Sequence, residues 1–164
     1  MPISTINSAG LATGGIGRSN MYTGAVLQVV QMTYSTAITN SSATFATTGL
    51  TQAITPSSTS SKILITAYCP IRMGSSNGIY GGIRINRNSG TILMTDTMAN
   101  NVSAIVDISY PITLVYLDSP ATTSSTTYTI EFNTTGAASP YAYPTVNYAG
   151  NPHLSTLTLM EIAG

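Results

Sequence analysis

Seven side chains in this sequence belong to the types that most often carry acid–base, nucleophilic or metal chemistry. They are His153, the carboxylates Asp96, Asp107, Asp118, Glu131 and Glu161, and the thiol of Cys69. A Ser-His-Asp hydrolase needs its histidine oriented by a carboxylate. His153 instead follows Pro152 in a polar stretch with no acidic neighbour. A paired-carboxylate glycosidase needs two carboxyl groups to meet in space. The five here are scattered one per strand or loop, and the chain has no Trp and two Phe with which to stack a sugar. Calcium loops need acidic ligands at alternate positions, and no such run is present. Gly14-Gly15-Ile16-Gly17 lacks the Lys-Ser/Thr of a phosphate loop. Cys69 ends the apolar run Ile63–Cys69 and reads as a buried small hydrophobe, not a thiol activated by a basic partner. The residues therefore point to no catalytic, cofactor or metal site, and to a protein that is not an enzyme.

Composition narrows the remaining classes. Only 6% of the 164 residues are charged, and five basic residues balance five acidic ones. A nucleic-acid binder needs clustered Lys and Arg to release counterions from phosphates, so neither nucleic acid nor an anionic membrane is an expected partner. Hydrophobic residues make up 43% of the chain, which excludes the low-hydrophobicity, high-charge signature of disorder. A neutral surface also lacks the repulsion that keeps copies apart, so the chain is expected to live assembled. Residues 1–6 show neither a basic n-region nor a continuous apolar stretch, so synthesis without secretion machinery is expected.

The elements that must position these residues are strands. The segments 25–34, 62–72, 79–86, 91–95, 102–109, 111–118, 126–133 and 154–162 are rich in β-branched residues and are separated by Ser, Thr, Gly and Pro. Residues 45–54 read as a weak strand or loop. Tyr128, Ile130 and Phe132 alternate against Thr127, Thr129 and Glu131; Leu157, Leu159 and Glu161 alternate against Thr156, Thr158 and Met160. Arg87–Gly90 reads as a hairpin turn with Gly90 supplying the positive φ, and Pro111 as a strand start. No amphipathic helix of useful length is present. The fold class is all-β, an antiparallel β-sandwich of jelly-roll type. Both faces of 154–162 carry apolar residues, so this strand is expected to be covered on both sides, by a second sheet or by a neighbouring subunit.

Residues 1–24 read differently. Five glycines and the spaced apolar residues Ile3, Ile6, Leu11 and Ile16 make an extended N-terminal attachment arm ahead of a sandwich domain at 25–164, with those four as partner-binding anchors. Tyr141, Tyr143 and Tyr148 lie in a Tyr/Pro-rich loop at 136–152, suited to recognition or to a contact between subunits.

The opening MPISTINSAGLATGGIG, then GAVLQVVQ, ITPSSTSSKILIT and PITLVYLDSPATTSSTTYTIEF, and the closing STLTLMEIAG together resemble small virion structural proteins of tailed bacteriophages. The resemblance covers most of the chain, and the order of the pieces carries it. It implies a homotrimeric jelly roll with its first and last strands side by side, fixed to the particle by its arm. It also implies assembly in the host cytoplasm, and the major capsid protein or a tail protein as partner. A capsid decoration (cement) protein is the leading role. A short tail fibre or receptor-binding tip is the alternative, disfavoured because no shaft of heptads or β-helical repeats is present.

Overall fold

A computed structural model of the chain describes residues 21–73, 79–101, 108–134, 145–146 and 154–164. Ten strands occur among them: β1 (Val26–Tyr34), β2 (Ile38–Thr39), β3 (Ala46–Ile54), β4 (Lys62–Met73), β5 (Ile79–Arg87), β6 (Thr91–Asn101), β7 (Ile108–Asp118), β8 (Thr126–Phe132), β9 (Thr145–Val146) and β10 (Ser155–Ile162). All pairings are antiparallel.

The first sheet runs β1-β10-β4-β7. The short β9 pairs with Ile71 and Arg72 of β4, beyond the stretch that β10 occupies, and β2 pairs with β9. The second sheet runs β3-β8-β5-β6. The chain passes back and forth between the sheets, and its first and last strands end as neighbours. That winding, with the eight long strands four to a layer and the short β9 and β2 extending the first, is a jelly roll, so the expected all-β sandwich is the observed one. Val29↔Met160 and Met32↔Leu157 mark the register of β1 on β10.

Period-two alternation explains the core. A strand lying on another sheet buries every second side chain. Ile63, Ile65, Ala67, Cys69 and Ile71 of β4 point inward, as do Tyr128, Ile130 and Phe132 of β8 and Leu157 and Leu159 of β10. Each large side chain so buried contributes about 2 kcal/mol. Leu50 and Ile54 add to the same cluster. Residues 46–54 are thus a full strand, although Gly and Thr dilute their pattern. The dilution has a cause. Gly49 sits at φ +88 inside the irregular stretch of register between Thr47 and Thr51, and the Tyr34 ring lies where a Cβ would stand. Only glycine allows both the backbone and that approach.

Three further expectations need correction. In the Arg87–Gly90 turn the positive φ angles belong to Asn88 (51°) and Ser89 (57°), not to Gly90. Two central residues of positive φ make a turn whose twist matches the flanking strands. Asn88 is held there because its Oδ1 accepts from Thr127 N at 2.9 Å while its own N–H donates to Thr127 O. Pro111 is not a strand start but lies inside β7, opposite Pro70. It is tolerated because β7 is an edge strand. Pro70 in turn falls where β4 passes from β10, last paired at Tyr68, to β9, first paired at Ile71. Finally, the 136–152 stretch contains β9 and is not wholly loop.

Candidate functional site

The carboxylates within the described residues each have a structural partner. Asp118 is buried at the end of β7. Its Oδ1 and Oδ2 both accept from Arg87 Nη1 at 2.8 Å, and Oδ2 also accepts from the Tyr128 hydroxyl at 2.7 Å. Burial first, then the hydrogen bond to Asp118 and the carboxylate's charge, push the Tyr128 phenol well above its ordinary range, with Arg87 opposing. Tyr128 is therefore a fixed donor. Glu131 pairs with Arg84 at 2.6 Å, and the Arg84 guanidinium lies 4.0 Å from the centroid of the Phe45 ring. Asp96 accepts from Thr97 N.

Glu161 is the most enclosed carboxylate among the described residues. Its Oε1 accepts from Ser57 N (2.6 Å), Ser57 Oγ (2.6 Å) and Ser61 Oγ (2.7 Å); its Oε2 accepts from Gln28 Nε2 (2.6 Å), which also donates to Thr55 O. Burial alone pushes this carboxyl up. The hydrogen bonds from Ser57, Ser61 and Gln28 outweigh it and hold the group below its ordinary 4.5. A cleft of about 360 Å³ opens beside it, lined by Met21, Leu27, Ser57, Ser58, Ser61 and Ala163. With its carboxylate oxygens already taken by donors, Glu161 ties β1, the 55–61 loop and β10 together. It is not poised to exchange a proton with a substrate.

No group of three or more His, Cys, Asp or Glu side chains gathers into a metal site among the described residues. Asp107 and His153 lie outside them. Cys69 is buried, and burial pushes its thiol up to about 12 against a hydrogen bond with Ser155 that pulls it down. Thiolate, not thiol, is the nucleophile. Iodoacetamide at pH 8 is therefore expected to leave Cys69 unmodified in the folded protein and to alkylate it fully in denaturant, read by intact mass. Rapid labelling without denaturant would contradict this burial.

What the structure brings together lies on the outer surface of the first sheet. There the side chains that alternate away from the core line up in rows across β1, β10, β4 and β7. One row is Val29, Met160, Leu64, Leu117; the next is Gln31, Thr158, Thr66, Val115; the third is Thr33, Thr156, Tyr68, Thr113. A register irregularity between Val26 and Gln28 sets Val26 opposite Ile162, extending the apolar area. Val29 is 54% exposed, Val115 55%, Leu117 48% and Tyr68 40%. These three rows carry no charge; Lys62 and Arg72 stand at the two ends of β4. The expected cover on both sides of 154–162 is thus half met. Its inner face is buried, and its outer face is only partly so.

The outer surface of the second sheet is a contrast. It presents Thr51, Thr127, Thr129, Thr95 and the Arg84–Glu131 pair, with Thr51 and Thr129 hydroxyls 3.2 Å apart. That surface is mostly polar and carries an ion pair, with Ile92 exposed on its β6 edge. The anchors Ile3, Ile6, Leu11 and Ile16 and the loop residues Tyr141, Tyr143 and Tyr148 lie outside the described residues. Sequence reading found apolar residues on both sides of 154–162 but missed the row they join, because its four strands are far apart in the chain. The signal was present in the apolar residues on both faces of 154–162.

No family model matches the chain, and no curated protein matches it. Solved structures similar to it include infectious bursal disease virus, Gx strain (18% identity, TM-score 0.43, covering 84% of this chain and 37% of that one). A T13 particle of the same virus is similar at 15% identity and TM-score 0.46, covering 84% and 36%. Endospore appendages of Bacillus, described as disulfide-linked pili, are similar at 16% identity and TM-score 0.34, covering 88% and 96%. The chain spans little more than a third of the length of the viral chains it resembles, and likeness at this level assigns it no function.

Proposed function

We propose that this chain is a structural protein that works by assembly, a jelly-roll module of a virus particle whose role is to decorate and stabilise the assembled shell as a trimer. The observation that carries the reading is the uncharged outer face of the β1-β10-β4-β7 sheet, where the apolar row Val29, Met160, Leu64, Leu117 and the exposed Val115 and Tyr68 stand among threonines and Gln31, set against an outer face on the other sheet that carries the Arg84–Glu131 ion pair. Large apolar side chains left half-exposed side by side on one sheet face mark an interaction surface. The sequence resemblance to small virion proteins of tailed phages supports placing that surface in a particle. The mechanism is mass action: a protein that binds the assembled shell and not its free subunits stabilises the shell by its binding energy. Three linked copies raise that through effective concentration.

Cryo-electron microscopy of purified particles tests this. Hundreds of copies in threefold clusters over the capsid are expected. A handful of copies at the tail would overturn decoration in favour of a receptor-binding tip, and absence from the particle would overturn the virion role.

A further inference from the structure

We infer that the outer face of the β1-β10-β4-β7 sheet is where a second copy of this chain binds. This rests on the assembly reading and names the partner at that surface.

The argument starts from solvation. A sheet face left in water carries polar side chains at its outward positions, as the β3-β8-β5-β6 sheet does with its threonines and its Arg84–Glu131 pair. The other sheet sets an unbroken apolar row, Val29, Met160, Leu64 and Leu117, across all four of its long strands, with Val115 and Tyr68 in the next two rows; its remaining outward positions there are Gln31 and threonines, none of them charged.

Size is the second consideration. Four strands about 4.8 Å apart, over seven residues at about 3.3 Å each, give a surface on the order of 400 Å² in projection. Side-chain relief and a rim bring this toward the roughly 800 Å² per partner of a stable interface.

Charge decides between occupants. An acidic partner would meet no cluster of bases, and a basic partner would meet no carboxylate: Asp118 and Glu161 both point into the sandwich. An uncharged surface of apolar, threonine and glutamine side chains is complementary to itself, because a second copy brings no charge into the three central rows and its hydroxyls and amide can pair with their counterparts. The chain's zero formal charge adds no long-range repulsion between copies.

The test compares wild type with the paired substitution Val29→Lys and Leu117→Lys, and with Thr97→Lys on the other sheet as a control. Sedimentation velocity at about 100 µM is expected to show wild type at two or more chain masses. The control should match it, and the paired variant should sediment as a single chain. Burying unpaired lysines weakens association roughly a hundredfold or more. Far-UV circular dichroism of the paired variant should equal that of wild type, since both positions face outward. If that variant misfolds, Val115→Lys replaces it. A self-associating variant overturns the inference, as does a monomeric wild type. In the latter case, failure to bind an apolar dye would put the chain's own residues 1–20 on the face, and dye binding would leave it to a different protein. A dimer supports the inference while correcting the trimer. Wild type monomeric in solution yet abundant on particles overturns the inference and leaves the assembly reading standing.

Discussion

Asp118→Ala is expected to lower stability by about 3 kcal/mol and the melting temperature by roughly 10 °C. The residue is buried where β7 ends, and two donors from other strands converge on it: Arg87 of β5 and Tyr128 of β8. Removing one partner of a buried ion pair leaves the other uncompensated. Here the loss is moderated because the Arg87 side chain keeps 22% of its exposure and can recover some water. Tyr128 has no such recourse, being fully buried with its hydroxyl aimed at the vacated site. Asp118→Asn should cost less, about 1–2 kcal/mol, because its carbonyl still accepts from Tyr128 while Arg87 loses its counter-charge. Chemical denaturation of the three proteins checks the order. A loss under about 1 kcal/mol for the alanine variant would mean the cluster is already hydrated.

Glu161→Gln is expected to cost about 3 kcal/mol at pH 7 and to remove a pH dependence. A glutamine oxygen cannot take all the donors that Glu161 now satisfies, and its amide nitrogen would face either the Ser57 backbone N–H or Gln28 Nε2, donor against donor. The sign of the pH effect follows from the lowered pKa of the folded state. A carboxyl held below 4.5 in the folded state contributes stability that is fully present above that value. It is lost as pH falls through the folded value. Wild type should therefore lose more stability than Glu161→Gln between pH 5 and the acid limit, with the two curves converging at low pH. Parallel curves would show that the Glu161 carboxylate is not held by these donors. Weakening this contact also frees the 55–61 loop from β1 and β10, so local hydrogen exchange at Ser57 and Ser61 should rise with the global change.

These two carboxylates show how far a linear reading reaches. Alternation alone placed Glu161 on the face of Leu157 and Leu159, and that is where it lies. The sequence could not name its donors, because Gln28, Ser57 and Ser61 are 100 or more residues away and meet it only when β1 and the 55–61 loop close on β10. The same holds for Arg87 and Asp118, 31 residues apart on different sheets.

What the sequence determined by itself was local. Period-two patterning, β-branched composition and turn residues specified the strands, the two-layer class and the inward side chains of β8 and β10, because burial of alternate residues is a property of one strand. It misread the Arg87–Gly90 turn, where side-chain hydrogen bonds let Asn88 take a conformation usually left to glycine, and it diluted β3, where a glycine at a bulge hides the pattern. Only the tertiary structure decided which strands are neighbours and in what register. The apolar outer face exists because β1, β10, β4 and β7, drawn from both ends and the middle of the chain, set Val29, Met160, Leu64 and Leu117 side by side. Register is fixed by the pairing of distant segments, so a surface built across strands is written in no single stretch of the chain.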